Sequence, residues 1–390
     1  MGQFKKALLL FIFINFSLYL YIWKFAALVP FRTGNYLYSA HHYLQDERIG
    51  TGGFNLLRAL GQYDAQWYLR IADNGYPFHP SNINMEDKTV MDGLTYAFFP
   101  LYPLILSILN IFFGYIELSA FVFSIILLLA DFYSLYFVVT NLYSEKIANY
   151  SVLLLFLFPF SIFYRSYFTE GIFLFLLIWY SYFLIKRNWT KASLFQGLLL
   201  VTRPTGLFLL PLTFYYLLSD LYRKKFNPSK LFIYMPLIFG FFCLWLLFNL
   251  KMTGSIFYWK NVQLEWITTQ SIPKILYYNY LLLKNFFILP LHDIHASKID
   301  IMTFFVFGWI LYFSLDRLKK ELWWTSFLMW IVPLLLKDTA SYTRYQIISF
   351  PIFIYLATVL NRRQFAILSS VFYSLLLLLS LYFVNWNWFG

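Results

Sequence analysis

The sequence predicts an all-α protein that crosses a membrane many times. Three observations carry that prediction. Of the 390 residues, 61% are hydrophobic and only 12% are charged, about half the charged share of a soluble domain. Apolar runs of about 20 residues, enough to span a bilayer, recur from one end of the chain to the other. Basic clusters punctuate these runs: Lys5-Lys6, Lys186-Arg187 with Lys191, Arg223-Lys224-Lys225 with Lys230, Arg317 with Lys319-Lys320, and Arg362-Arg363. Such clusters mark cytoplasmic connections. The net charge of +12 therefore reports topology and does not call for nucleic acid as a partner. The single cysteine, Cys243, lies in an apolar run, which excludes an intrachain disulfide or a cysteine-based metal site.

The elements follow in order. The run at 7–29 comes after Lys5-Lys6 and continues to Pro30 with no small-residue cleavage site, so it reads as an uncleaved first span with a cytoplasmic N-terminus. A long outer loop, 31–96, follows. An even number of crossings must separate any two cytoplasmic clusters. Between Lys6 and Lys186 the apolar runs are 7–29, 97–114, 119–142, 147–164 and 167–185, an odd number, so one does not cross. The expected exception is 97–114, which is short and carries Pro100 and Pro103 in its first turns, as suits a re-entrant or interfacial segment. Residues 192–222 are few for two crossings, so the outer tip at Arg203-Pro204 is expected at or below the membrane surface. In the second long outer loop, 251–299, the run 275–291 is broken by Lys284, Asn285 and Pro290 and is expected not to span. Runs at 231–250, 300–315, 321–336, 345–360 and 364–384 complete about eleven crossings with an outside C-terminus. Trp386 and Trp388 read as an interfacial belt. The chain has no internal repeat, which weakens an inverted-repeat transporter reading. Residues 1–390 thus read as one transmembrane domain.

Chemistry is expected on the outer face, where the connections are long and acidic. Loop 31–96 holds seven of the 18 acids, namely Asp46, Glu47, Asp64, Asp73, Glu86, Asp87 and Asp92. Its centre is Tyr63-Asp64-Ala65-Gln66-Trp67-Tyr68-Leu69-Arg70-Ile71-Ala72-Asp73-Asn74-Gly75-Tyr76. As a short helix this stretch sets Asp64, Trp67, Tyr68 and Ile71 on one face and stops at Gly75. A carboxylate beside large rings at a membrane surface suits sugar transfer, with a base for an acceptor hydroxyl and flat faces for a sugar. The competing reading makes Asp64 a helix cap and the rings lipid anchors.

Arg165, Arg203 and Arg344 each end an apolar run on that face, where an ionisable residue is costly, and a guanidinium pairs with phosphate through two parallel bonds. The alternative is snorkelling or local pairing, such as Arg165 with Glu170. Glu170 is a second candidate site acid or a first-turn carboxylate complementing a helix dipole. His41, His42, His79, His292 and His295 have no distinctive metal-site spacing, so no metal or other cofactor is expected. Asp131, in mid-span, reads as a packing or helix-pairing acid.

In sequence order, these pieces resemble the PIG-V family of mannosyltransferases, within the GT-C superfamily. Tyr63-Asp64-Ala65-Gln66-Trp67-Tyr68 and Ile71-Ala72-Asp73-Asn74-Gly75-Tyr76 are similar to the family's W-D-G-x-x-[FY] and I-A-x-x-G-Y. Ala97-Phe98-Phe99-Pro100-Leu101-Tyr102-Pro103 matches its A-F-F-P-L-x-P. Pro159-Phe160-Ser161 through Tyr167-Phe168-Thr169-Glu170 resembles N-P-A…Y-[ST]-E, with Arg203-Pro204-Thr205-Gly206 at R-x-x-G and Arg344-Tyr345 through Pro351 at R-[FY]…P. Tyr63, Ala65 and Phe160 depart from the family's Trp, Gly and Ala. The resemblance implies a GT-C fold, a polyprenyl-phosphate sugar donor, inversion at the anomeric carbon and Asp64 as the base. The expected activity is transfer of a hexose, mannose first, to a hydroxyl of a glycolipid, envelope glycan or protein on the extracytoplasmic face of a prokaryotic inner membrane. Arg203, Arg344 and Arg165 would hold the donor phosphate. Trp67, Tyr68, Asp73, Tyr76 and Glu170 would bind sugar or acceptor. The rival expectations are a lipid-linked sugar flippase or other transporter, and a non-catalytic subunit of a membrane glycosyltransferase complex.

Overall fold

The computed structural model describes residues 2–39, 43–80, 88–266, 272–291, 297–336 and 341–388, and among them the regular structure is entirely helical. The helices that build the bundle are α1 (Gln3–Phe25), α2 (Ala65–Asn74), α3 (Leu101–Phe113), α4 (Ile116–Leu142), α5 (Glu145–Leu157), α6 (Glu170–Ile185), α7 (Trp189–Leu200), α8 (Leu210–Tyr222), α9 (Leu231–Thr253), α10 (Lys298–Phe313), α11 (Lys320–Leu336), α12 (Tyr342–Gln346), α13 (Phe350–Val359) and α14 (Arg362–Val384). Polar residues at the boundaries of the apolar runs start several of them by capping orphan amides. Ser144 accepts from Ile147 N–H, Asn188 from Lys191 N–H and Ser297 from Asp300 N–H. Asn361 and Gln364 close a reciprocal capping box at α14.

Among the described residues, four helical segments are long and apolar enough to cross a bilayer: Gln3–Leu28, Ile116–Leu142, Pro228–Thr253 and Arg362–Val384. The protein is a membrane-embedded helical bundle. Its centre is α4, whose apolar window is 61% buried, against 22%, 17% and 28% for the other three. Those three present Phe13 and Phe16, Phe232 and Leu244, and Ile367 and Val371 outward, the surface that lipid requires. Helix α3 has 13 residues and so does the helix Ile272–Lys284. At 1.5 Å per residue each is about 20 Å long, short of a hydrocarbon core of about 30 Å, and α5, α7, α8 and α13 are no longer than these, so helix length alone does not single out the two segments expected not to cross.

The bundle has two chemically distinct ends. Helix α6 runs between them, from Glu170 to Ile185 just before Lys186. At the Lys186 end, Arg187 pairs with Glu321 at 2.8 Å and lies 3.8 Å from Asp220, which holds Lys225 at 2.9 Å, tying basic clusters from three connections together. The Glu170 end gathers the α1 terminus, the start of α2, the Arg203 turn, α12 and the C-terminal tail. That tail corrects the interfacial-belt expectation: Trp386 and Trp388 are buried, and their rings stand 4.8 and 4.5 Å from that of Tyr63. Arg48 donates to Asn385 Oδ1 and Val384 O, and Gln62 donates to Val384 O, locking the tail into the loop that leads to α2.

Candidate active site

Helix α2 is amphipathic, and Trp67, Tyr68, Leu69 and Ile71 bury its inner face. Gly75 ends it with φ 73°, a left-handed geometry that suits glycine, and its N–H donates to Ile71 O at 2.8 Å. Asp64 occupies the N-cap position, yet its side chain makes no capping hydrogen bond. Its Oδ2 instead meets Arg344 Nη1 at 2.7 Å. The carboxylate is thus directed outward to a group 280 residues further along the chain, not to the amides of its own helix.

Arg344 also donates through Nε to Glu170 Oε1 at 2.6 Å, and Arg203 Nη1 lies 2.8 Å from that same oxygen. The result is a chain of four charges, Asp64–Arg344–Glu170–Arg203. Its inner three members are dry, with side chains 4%, 0% and 9% exposed, whereas Asp64 is 36% exposed. Aromatic rings complete the enclosure. The Arg344 guanidinium stands 4.4 Å from the Phe168 ring centroid and 5.2 Å from that of Phe163, and the Arg203 guanidinium 5.2 Å from that of Tyr345. Burial opposes the Arg344 charge, but the carboxylates of Glu170 and Asp64 outweigh it and raise the guanidinium well above its usual range. Arg344 is a permanent cation. Glu170 Oε2 is buried and has no hydrogen-bond partner among the described residues.

Backbone geometry delivers the charged partners. Asp64 follows Tyr63 at φ 52°, and the turn carrying Arg344 follows Ser341 at φ 59°. Both are left-handed residues without glycine's freedom, held by surrounding packing. Arg203 heads the 3₁₀ turn Pro204–Leu209, with proline in its favoured first position. Gly206 lets this turn press against the end of α7, where a Cβ would come within 2.3 Å of Leu199 O. Leu101 N–H donates to Val201 O at 3.0 Å, fastening the start of α3 beside the Arg203 tip.

The other expected site residues are placed differently. Arg165 is fully buried and does not meet Glu170. Its Nε donates to Asn15 Oδ1 at 2.7 Å, Nη1 to Ser161 O and Oγ, and Nη2 to Phe156 O. It braces α1 against the α5–α6 turn, and the structure does not bring it into hydrogen-bond contact with Glu170, Asp64 or Arg344. Arg165→Lys is expected to lower the unfolding temperature in detergent, since lysine cannot span this donor set, while folded protein keeps its ligand binding. Equal stability in a thermal melt would contradict this.

Trp67 is fully buried, with its ring 5.6 Å from Phe98 and nearly parallel to it, so it supports α2 and presents no open face to a sugar. Tyr68 stays beside the cluster, its hydroxyl 3.4 Å from Thr169 Oγ1, next to Glu170. Asp73 lies about 13 Å along α2 from Asp64, and accepts hydrogen bonds from Tyr43 and Asn110. The Tyr76 hydroxyl donates to Phe98 O at 2.7 Å, and its ring packs on Tyr96 and Trp245. Neither Asp73 nor Tyr76 joins the four charges. Asp131 is buried in α4, and neither carboxylate oxygen has a partner among the described residues, so the expected helix-pairing bond is not made there. His79 packs its ring on Phe78, while His41, His42, His292 and His295 lie outside the described residues. Among the described residues no group of three or more His, Cys, Asp or Glu side chains could hold a metal ion.

Phe163, Phe168 and Trp388 surround Arg344 through tertiary packing, which no local sequence pattern signals. Comparison with known protein families finds none that matches this chain, and comparison with curated proteins finds no relative.

Proposed function

We propose that this protein is a GT-C-type inverting glycosyltransferase with about eleven spans. In this reading it moves a hexose, mannose first, from a polyprenyl-phosphate donor to a hydroxyl of a glycolipid, envelope glycan or protein on the extracytoplasmic face of the inner membrane. The observation that carries the reading is the Asp64–Arg344–Glu170–Arg203 chain, in which one partly exposed carboxylate ends a dry, doubly cationic site at one end of a membrane bundle.

The chemistry asks for these groups. As the acceptor oxygen bonds to the anomeric carbon, the bond from that carbon to the donor phosphate oxygen breaks. The phosphodiester leaves as a polyprenyl phosphate monoester and gains negative charge. Arg203 and Arg344 would meet that charge in a site with little water to screen it, and no metal is required. Asp64 would take the acceptor proton. Glu170 would aim both guanidiniums, with Oε2 able to accept a bond from a sugar hydroxyl.

A donor phosphate would compete with Asp64 for the Arg344 guanidinium, so donor binding would free the carboxylate to meet the acceptor hydroxyl. Arg203→Gln removes one charge-assisted contact to phosphate, worth about 1.5–3 kcal/mol. It is expected to raise the donor KM about 10–100-fold with little change in the acceptor KM. Equal changes in both, measured by initial rates, would count against the phosphate assignment.

A further inference from the structure

One buried acid lies outside this reaction scheme and yet touches its machinery. Asp300 opens the first turn of α10 and is 1% exposed. Its Oδ1 accepts from the Thr343 backbone N–H at 2.7 Å and from Thr343 Oγ1 at 2.8 Å, and its Oδ2 accepts from Ser297 Oγ at 2.6 Å. Thr343 Oγ1 also lies 3.0 Å from Thr303 Oγ1. A carboxylate this dry is tolerated only where donors satisfy it, and here two of them belong to the residue immediately before Arg344.

That placement matters because α12 cannot hold itself. It has five residues and is entered through the left-handed Ser341, and a single helical turn has no independent stability. Its position is set by clamps from neighbouring helices. The Tyr342 hydroxyl donates to Trp330 O at 2.7 Å and Gln346 Nε2 to Met329 O at 3.0 Å, both on α11. Asp300 supplies a charged clamp from α10 that grips backbone next to Arg344.

We infer that Asp300 is a positioning residue, which through Thr343 sets Arg344 at the distance where it serves both Asp64 and Glu170. This rests on the phosphate-binding role proposed for Arg344.

Asparagine keeps the essential geometry, since its Oδ1 can accept from Thr343 and its Nδ2 can donate to Ser297 Oγ. Alanine keeps neither. With purified full-length protein and polyprenyl phosphate as the probe, Asp300→Ala is expected to weaken binding about tenfold, the loss of roughly one charge-assisted bond. Asp300→Asn should stay within about threefold and Thr343→Val fall between the two. In an Arg344→Gln background, Asp300→Ala should change binding less than about twofold, because coupled residues are not additive. A merely structural role would cost the same in both backgrounds, and that result overturns the inference. Hydrogen exchange separates this from the wider reading. Asp300→Ala should speed exchange across 341–347 while Asp300→Asn does not. Unchanged exchange in Asp300→Ala overturns the positioning role whatever the ligand. If the wild type binds no polyprenyl phosphate while exchange responds as expected, the phosphate assignment fails and the positioning of Arg344 stands. Should Asp300→Ala not fold, Thr343→Val and Asp300→Asn decide by the same two readouts.

Discussion

Asp64→Asn is expected to lower sugar transfer by about 10²–10⁴-fold, the usual contribution of a general base. The reason lies in what the substitution keeps. Asparagine is nearly isosteric, and its Oδ1 can still accept from Arg344 Nη1, which reaches Asp64 Oδ2 at 2.7 Å. The N-cap position makes no side-chain capping bond that could be lost. Fold and donor binding should therefore survive while the capacity to accept a proton disappears. A second consequence concerns donor affinity. Arg344 paired with a neutral amide is easier to draw toward phosphate than Arg344 paired with a carboxylate, so the donor should bind Asp64→Asn at least as tightly as wild type. A large rise in donor Kd with preserved transfer would invert both roles.

Arg344→Gln should have the second large effect, in two separable parts. Glu170 would keep only Arg203, and removing one partner of a buried ion pair costs about 3–5 kcal/mol, read as a lower unfolding temperature. Catalytically, losing one preorganised donor to the leaving group is worth about 10²–10³-fold in kcat. Arg344→Lys separates the parts. Its ammonium retains the charge beside Glu170, which is fully buried, and so recovers stability. It lacks the planar fork by which one guanidinium serves Asp64 through Nη1 and Glu170 through Nε, and so recovers little activity. Thermal melts run beside initial rates with varied donor would check both. Parallel recovery of stability and rate in the lysine variant would show that Arg344 is a structural cation only.

Sequence and structure part company in an instructive way. The four charges were legible one at a time, because an acid or an arginine at the edge of an apolar run is costly enough to stand out. Their mutual contacts were not, since Asp64 and Arg344 are separated by 280 positions and hydropathy carries no pairing information. Arg165 shows the cost of that gap. By sequence it is as good a phosphate ligand as Arg203, but the 3₁₀ turn Ser161–Tyr164 turns it inward to Asn15, a residue in the middle of α1. Trp386 and Trp388 show the converse. Near a membrane surface, tryptophan reads first as an anchor, and only the bonds of Arg48 and Gln62 to Val384 and Asn385 reveal that the tail is drawn into the bundle. Asp300 did not stand out in the sequence, because its grip on Thr343 depends on the packing of α10 against α12.

In the proposed reaction Asp64 and the two arginines together transfer a hexose from a lipid phosphate. The most direct test incubates the purified protein with radiolabelled polyprenyl-phosphate mannose and a native membrane lipid extract, with Asp64→Asn in parallel. Wild type is expected to give labelled product of inverted anomeric configuration, and the variant essentially none. Product from both proteins at similar rates would contradict the role of Asp64, and no transfer from this or any other lipid-linked hexose by folded wild type would contradict the function itself.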